Sequence, residues 1–287
     1  MSHSLLVLAD LSEPARQAAR YTAVLGAALP AQLALLHCYH SPLLFPELVT
    51  VTTRGSIRSQ VETADALRDF AQQLALPTEI SVSVKPAAEA VRGAIRRHQP
   101  LLLAMGLSPE QDLLDQLLHN QLLPVLRATH YPVLLVPAAG AAPRAPRRVL
   151  WAVDAGPFVP NAAARRLAPL LASWEAAHTI THSVTGPAYP ASVGQLAMDQ
   201  LRHSRLLPFS TQYELYTRHH DVAAKGILEA MEDVQPDLLV LIARPRSFLG
   251  QLFHRSVTAQ VLRHCRVPVL LVPAEAPEQP DWMPCLC

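Results

Sequence analysis

Four basic side chains, Arg244, Arg246, His254 and Arg255, crowd into the stretch LIARPRSFLGQLFHRS at residues 241–256. They follow a run of strand-forming apolar residues, where an α/β chain would leave a strand and enter a helix. Anions are held at such places, because helix-start N–H groups and arginine forks both suit phosphate oxygens. Ser256 adds a hydroxyl at the end of the stretch. The single glycine, Gly250, is poorly placed for a phosphate loop, which needs glycine where the backbone approaches its ligand. Two readings stay open: an anion site made of arginine forks, and a solvated helix start.

Acids form the second group of candidates. Asp10 and Asp154 each end an apolar run, and Asp154 opens Asp-Ala-Gly-Pro, which is also turn chemistry. The stretch SPEQDLLD at 108–115 carries three acids and no base. Each acid a few Å from a triphosphate would cost about 1 kcal/mol in water, and more when partly buried.

Thirteen histidines raise the question of metal. His37 and His40 would point to opposite faces of a continuous strand. His178 and His182 would share a face, but about 13 Å apart, too far for one ion. His219 and His220 have no obvious third ligand. No H-E-x-x-H or paired C-x-x-C occurs, so no metal site is expected. Neither G-x-S-x-G nor a Walker-type loop is present, and isolated acids such as Asp10 and Glu89 do not make an acid/base pair. No catalysis is expected.

The composition narrows the class further. A formal net charge of +1 and 5% aromatic content argue against a nucleic-acid binder. The apolar run at 5–9 is too short for a signal peptide, and no segment approaches a membrane span of about 20 residues. A soluble, cytoplasmic protein is expected. Its four cysteines, Cys38, Cys265, Cys285 and Cys287, are too scattered for a disulfide framework.

The elements that must position these residues are written twice. VLRATHYPVLLVPA at 125–138 returns as VLRHCRVPVLLVPA at 261–274. The period is domain-sized, so the chain reads as a duplicated domain, 1–138 and 148–274. A small-residue and proline linker at 139–147 joins the copies, and a tail covers 275–287. In the first copy, strands are expected at 4–10, 32–39, 79–85, 101–106 and 132–137, with helices at 13–29, 59–76, 88–98 and up to about 129. Strands of the second copy are expected near 148–154, 179–184, 211–218, 238–243 and 268–272, with helices between them. Runs such as LLLAM and LLVLI suit strands buried on both faces. The fold class is therefore α/β: two tandem Rossmann-like domains, each an open, mostly parallel five-stranded sheet flanked by helices. The stretch 41–56 is long enough to be a lid or an interface arm.

At LLVLADLSEPARQAARYTAVLGAAL, AQLALLHCY, RGAIRRHQPLLLAMG and the twin PVLLVP endings, the chain resembles a tandem universal stress protein of the UspA type. The resemblance implies Rossmann-like sheets paired through their final strands, here internally as a pseudo-dimer; a further homodimer stays open. Some members bind ATP through a motif after the fourth strand: Gly, two residues, Gly, nine residues, Gly, then Ser or Thr. Counting back from PVLLVP, those positions are Ile242, Pro245, Arg255 and Ser256 in the second copy. In the first they are Gly106, Pro109, His119 and Asn120. One glycine of six survives. Pro109 and Pro245 also lack the N–H that such a loop donates.

The candidate nucleotide or anion residues are thus Asp10, Gly106, His119 and Asn120 in one crevice, and Asp154, Arg244, Arg255 and Ser256 in the other. ATP is possible but disfavoured. The implied function is regulatory and stress-associated, through protein partners or a small ligand. The alternatives are an adenine-nucleotide sensor and a weak ATPase.

Overall fold

A computed structural model describes residues 2–38, 53–107, 129–138, 142–154, 156–184, 192–220, 222–244 and 257–275. The first half runs β1 (His3–Leu8), α1 (Glu13–Gly26), β2 (Ala31–Cys38), α2 (Thr53–Ala71), β3 (Thr78–Ser83), α3 (Ala87–His98), β4 (Leu103–Leu107) and β5 (Val133–Pro137). The second opens with β6 (Arg148–Ala152), β7 (Val159–Pro160), α4 (Ala162–Arg165), α5 (Ala168–Ala172) and β8 (Ala177–Val184). It continues with α6 (Ser192–His203), β9 (Tyr213–His219), α7 (Ala223–Val234), β10 (Leu238–Ala243), α8 (Val257–His264) and β11 (Val269–Glu275).

The strands form one sheet in the order β3-β2-β1-β4-β5-β11-β10-β6-β8-β9, with β7 attached to β11. Each half is parallel within itself and has the doubly wound order of an α/β fold. The halves meet where β5 and β11 pair antiparallel, as the resemblance implied. In that register Leu134 stands opposite Leu270, its own repeat counterpart, so a local pseudo-twofold axis passes through this pair.

Sequence explains the order of the strands. Central strands β4, β5, β10 and β11 are apolar runs that are almost wholly buried. The edge strands β3 (TEISVS) and β9 (YELYTRH) mix polar and charged residues, which suits an edge that faces water. Alternation along β1 divides the interior: Leu5 and Val7 belong to one core layer, Leu6 to the other. Both layers continue through both halves, since the first includes Trp151 and the second Leu239.

Several expectations shift in detail. Strand β1 ends at Leu8 instead of residue 10, because Asp10 turns the chain by accepting from the Ser12 N–H at 3.0 Å. Helix α1 ends at Gly26 instead of 29; a Cβ there would lie 2.6 Å from Leu5 Cδ1, so this turn is pressed onto the sheet. Helix α2 spans Thr53–Ala71 instead of 59–76. In the second half, the helix after the opening strand is replaced by β7 and the short helices α4 and α5. The helix ending near 129 falls mostly outside the described residues.

Polar contacts lock the halves together beyond the seam. Trp174 Nε1 donates to Leu25 O at 3.3 Å, and Asn161 Nδ2 to His130 O at 2.7 Å. Arg166 donates to Gln99 O at 2.5 Å and to the Tyr131 hydroxyl at 3.3 Å.

Candidate functional site

In a doubly wound sheet, ligands sit beyond the strands' carboxyl ends, where the order reverses. Here that means between β1 and β4, and between β6 and β10. Asp10 and Gly106 flank the first such crevice; Asp154 and Arg244 flank the second.

In the first crevice, both residues are engaged in seating helix α1. Exposed Asp10 accepts from the Ser12 N–H and from the Ser12 hydroxyl, with Leu11 between them at φ 65°. Ser12 then caps the helix, its Oγ accepting from Ala15 N at 3.3 Å, and Pro14 sits in the first turn. Gly106 lies beneath that turn. A Cβ there would stand 2.2 Å from Pro14 C and 2.6 Å from Ala15 N, so only glycine lets α1 dock on β4.

Strand register confirms the equivalence counted from the sequence: Gly106 pairs with Val136, and Ile242 with Val272. Ile242 is tolerated because, among the described residues, no helix start comparable to that of α1 docks there. Helix α1 begins three residues after Asp10, whereas α4 begins eight residues after Asp154. The space above β10 is taken instead by Arg244. Its Nη2 meets Asp154 Oδ1 and the Gly156 carbonyl, each at 2.5 Å, and its Nη1 donates to Pro157 O at 2.9 Å. Asp154 also accepts from Gly156 N at 3.2 Å, the turn expected of Asp-Ala-Gly-Pro. The arginine fork is thus satisfied within the protein.

Beneath this bridge lies a cavity of about 260 Å³, lined by Thr181, His182, Ile242 and Thr258 as well as the ion pair. Small-molecule sites usually enclose roughly 300–1,000 Å³, so the space is small.

His37 and His182 form a matched pair that sequence reasoning weighed only as metal ligands. His37 Nδ1 lies 2.7 Å from Ala9 O, and His182 Nδ1 lies 3.0 Å from Val153 O. A carbonyl only accepts, so Nδ1 carries the proton in both. Each histidine therefore fixes the peptide just before its crevice aspartate. The signal for this was their common place in the repeated second strand, LALLHC and HTITHS.

His119, Asn120, Arg255 and Ser256 lie outside the described residues, as do Arg246, His254, the acidic loop 108–115 and the cysteine tail. Among the described residues no group of His, Cys, Asp or Glu could hold a metal ion. None of the described helices is long and apolar enough to cross a membrane. Cys38 and Cys265 are both thiols; burial pushes Cys265 up to about 12 and also raises Cys38.

The fold and its paired crevices define a tandem α/β protein of the doubly wound class. The profile of the Universal stress protein family matches residues 1–137 and again 146–273. The chain belongs to that family. A universal stress protein from Archaeoglobus fulgidus DSM 4304 superposes with a TM-score of 0.69 at 17% identity, covering 94% of this chain and 96% of that one. A candidate universal stress protein from Pseudomonas aeruginosa UCBPP-PA14 does so with a TM-score of 0.58 at 15% identity, covering 95% and 94%. At such identities the likeness concerns the fold. No curated protein sequence matches the chain significantly.

Proposed function

We propose that the protein is a non-catalytic, stress-associated regulator of the cytoplasm that acts through protein partners or a small ligand and does not hold ATP in the family manner. The observation that carries this reading is the Arg244–Asp154 bridge across the second crevice. A triphosphate there would have to displace Asp154 and two carbonyls from the guanidinium and would gain no glycine-lined loop in return. In the first crevice, Asp10 and Gly106 are explained by helix docking alone. Loss of the motif glycines in both copies supports the same reading.

Calorimetry with Mg-ATP tests it. The expected result is no binding tighter than about 10 μM, roughly −7 kcal/mol. A tighter site would favour the adenine-nucleotide sensor instead. ATP turnover that Asp10→Ala abolishes would favour the weak ATPase.

A further inference from the structure

A larger cavity opens at the opposite, amino-terminal end of the strands in the second half. It measures about 630 Å³ and is lined by Trp174, His178, Pro208, Gln212 and Tyr213, with Glu175 and Glu214 at its rim. It is remote from both crevices, because His178 and Tyr213 begin the strands that lead up toward them.

The duplicated chain supplies an internal comparison. In the second half, Trp151 pairs with Ile180 and His178 with Tyr213. At the same register positions the first half has Val7 paired with Leu35, and Leu33 with Thr78. A Val–Leu–Thr row in one copy is thus a Trp–His–Tyr cluster in the other. Packing does not require the change, since Leu33 is wholly buried and serves the same strand position.

The cluster leaves one polar atom unspent. Trp151 Nε1–H donates to His178 Nδ1 at 3.0 Å. An indole nitrogen only donates, so Nδ1 is bare and the neutral ring carries its proton on Nε2. Burial holds the ring neutral, lowering its pKa to about 4. His178 is 7% exposed and lines the cavity, and Nε2 has no partner among the described residues. A donor on a largely buried ring at the wall of an open cavity is a group that a ligand can satisfy.

The walls select the ligand's shape and charge. Trp174 has spent its N–H on Leu25 O and offers an apolar ring. Tyr213 lies with its ring centroid 6.1 Å from that of His178. The exposed carboxylates of Glu175 and Glu214 disfavour an anion. We propose that this cavity binds an uncharged, planar small molecule whose carbonyl or ring-nitrogen acceptor meets His178 Nε2–H.

The test uses the full chain with two probes of one shape, neutral 1-naphthamide and anionic 1-naphthoate, followed by tryptophan fluorescence and calorimetry. Saturable binding of 1-naphthamide below about 1 mM, at least about tenfold tighter than 1-naphthoate, is expected. His178→Leu, which installs the first half's residue, should weaken the amide by about tenfold or more. NMR of the wild-type protein should show amide-induced shifts at the Trp174 indole and at His178, a readout that needs no variant to fold. The proposal is overturned by absence of saturable binding, by equal or tighter binding of the carboxylate, by unchanged affinity in His178→Leu, or by shifts confined to the Asp154 crevice.

Discussion

Arg244 and Asp154, at the ends of the adjacent strands β10 and β6, meet at 2.5 Å across the mouth of the second crevice. Counted along the repeat, Asp154 is the partner of Asp10: both accept from the N–H two residues on, but Asp10 takes the Ser12 hydroxyl as its second partner where Asp154 takes the Arg244 guanidinium. One repeated turn therefore supports a helix cap in one copy and a bridge between strands in the other.

This bridge should be worth something to the fold even though Asp154 is well exposed. Arg244→Ala is expected to cost about 1–2 kcal/mol, because its charged hydrogen bonds to two carbonyls go with the ion pair. Asp154→Ala should cost less, about 0.5–1 kcal/mol. A double-mutant cycle by urea unfolding should give a coupling near the smaller value; strict additivity would mean that the pair does not form in solution.

Gly106→Ala should destabilise the ligand-free protein by about 2–3 kcal/mol, since the new methyl meets backbone that cannot yield without shifting α1. Thermal unfolding measures this. A glycine kept only for ligand approach would leave the unfolding temperature unchanged.

His178 should make stability depend on pH. Its pKa falls from 6.5 to about 4 on burial, so between those values the unfolded chain binds more protons than the native one. Stability is then fully present above about pH 6.5 and is lost as pH falls toward about 4, by on the order of 2–3 kcal/mol. Denaturation midpoints over this range should show the slope, and His178→Leu should reduce it.

The two halves should unfold together. Both core layers cross the β5–β11 seam, so calorimetric and van't Hoff enthalpies should agree in a single transition. Leu134→Ala, at the pseudo-twofold pair, should cost about 2–5 kcal/mol and lower that one transition. Two separated transitions would show that the halves are energetically independent.

Most of the architecture was legible in the sequence. Apolar runs long enough for buried strands, amphipathic runs between them and the PVLLVP repeat specify two doubly wound copies, because burial and period are local properties of the chain. The broken glycine motif could be read too, since it needs only spacing. Less legible was the start of the second half: no local pattern announces β7, whose two residues are a strand only because β11 lies alongside.

What the residues in the crevices do was decided by the tertiary structure. From sequence, Gly106 was a surviving phosphate glycine and Arg244 a candidate anion fork. Only the approach of α1 over β4 shows why Gly106 must lack a side chain, and only the meeting of β6 with β10 gives Arg244 a carboxylate and two carbonyls. The same holds for His178, whose open donor depends on an indole from the neighbouring strand. Spacing along the chain determines which element a residue joins; its partners come from strands distant in sequence, and those contacts exist only once the sheet has assembled.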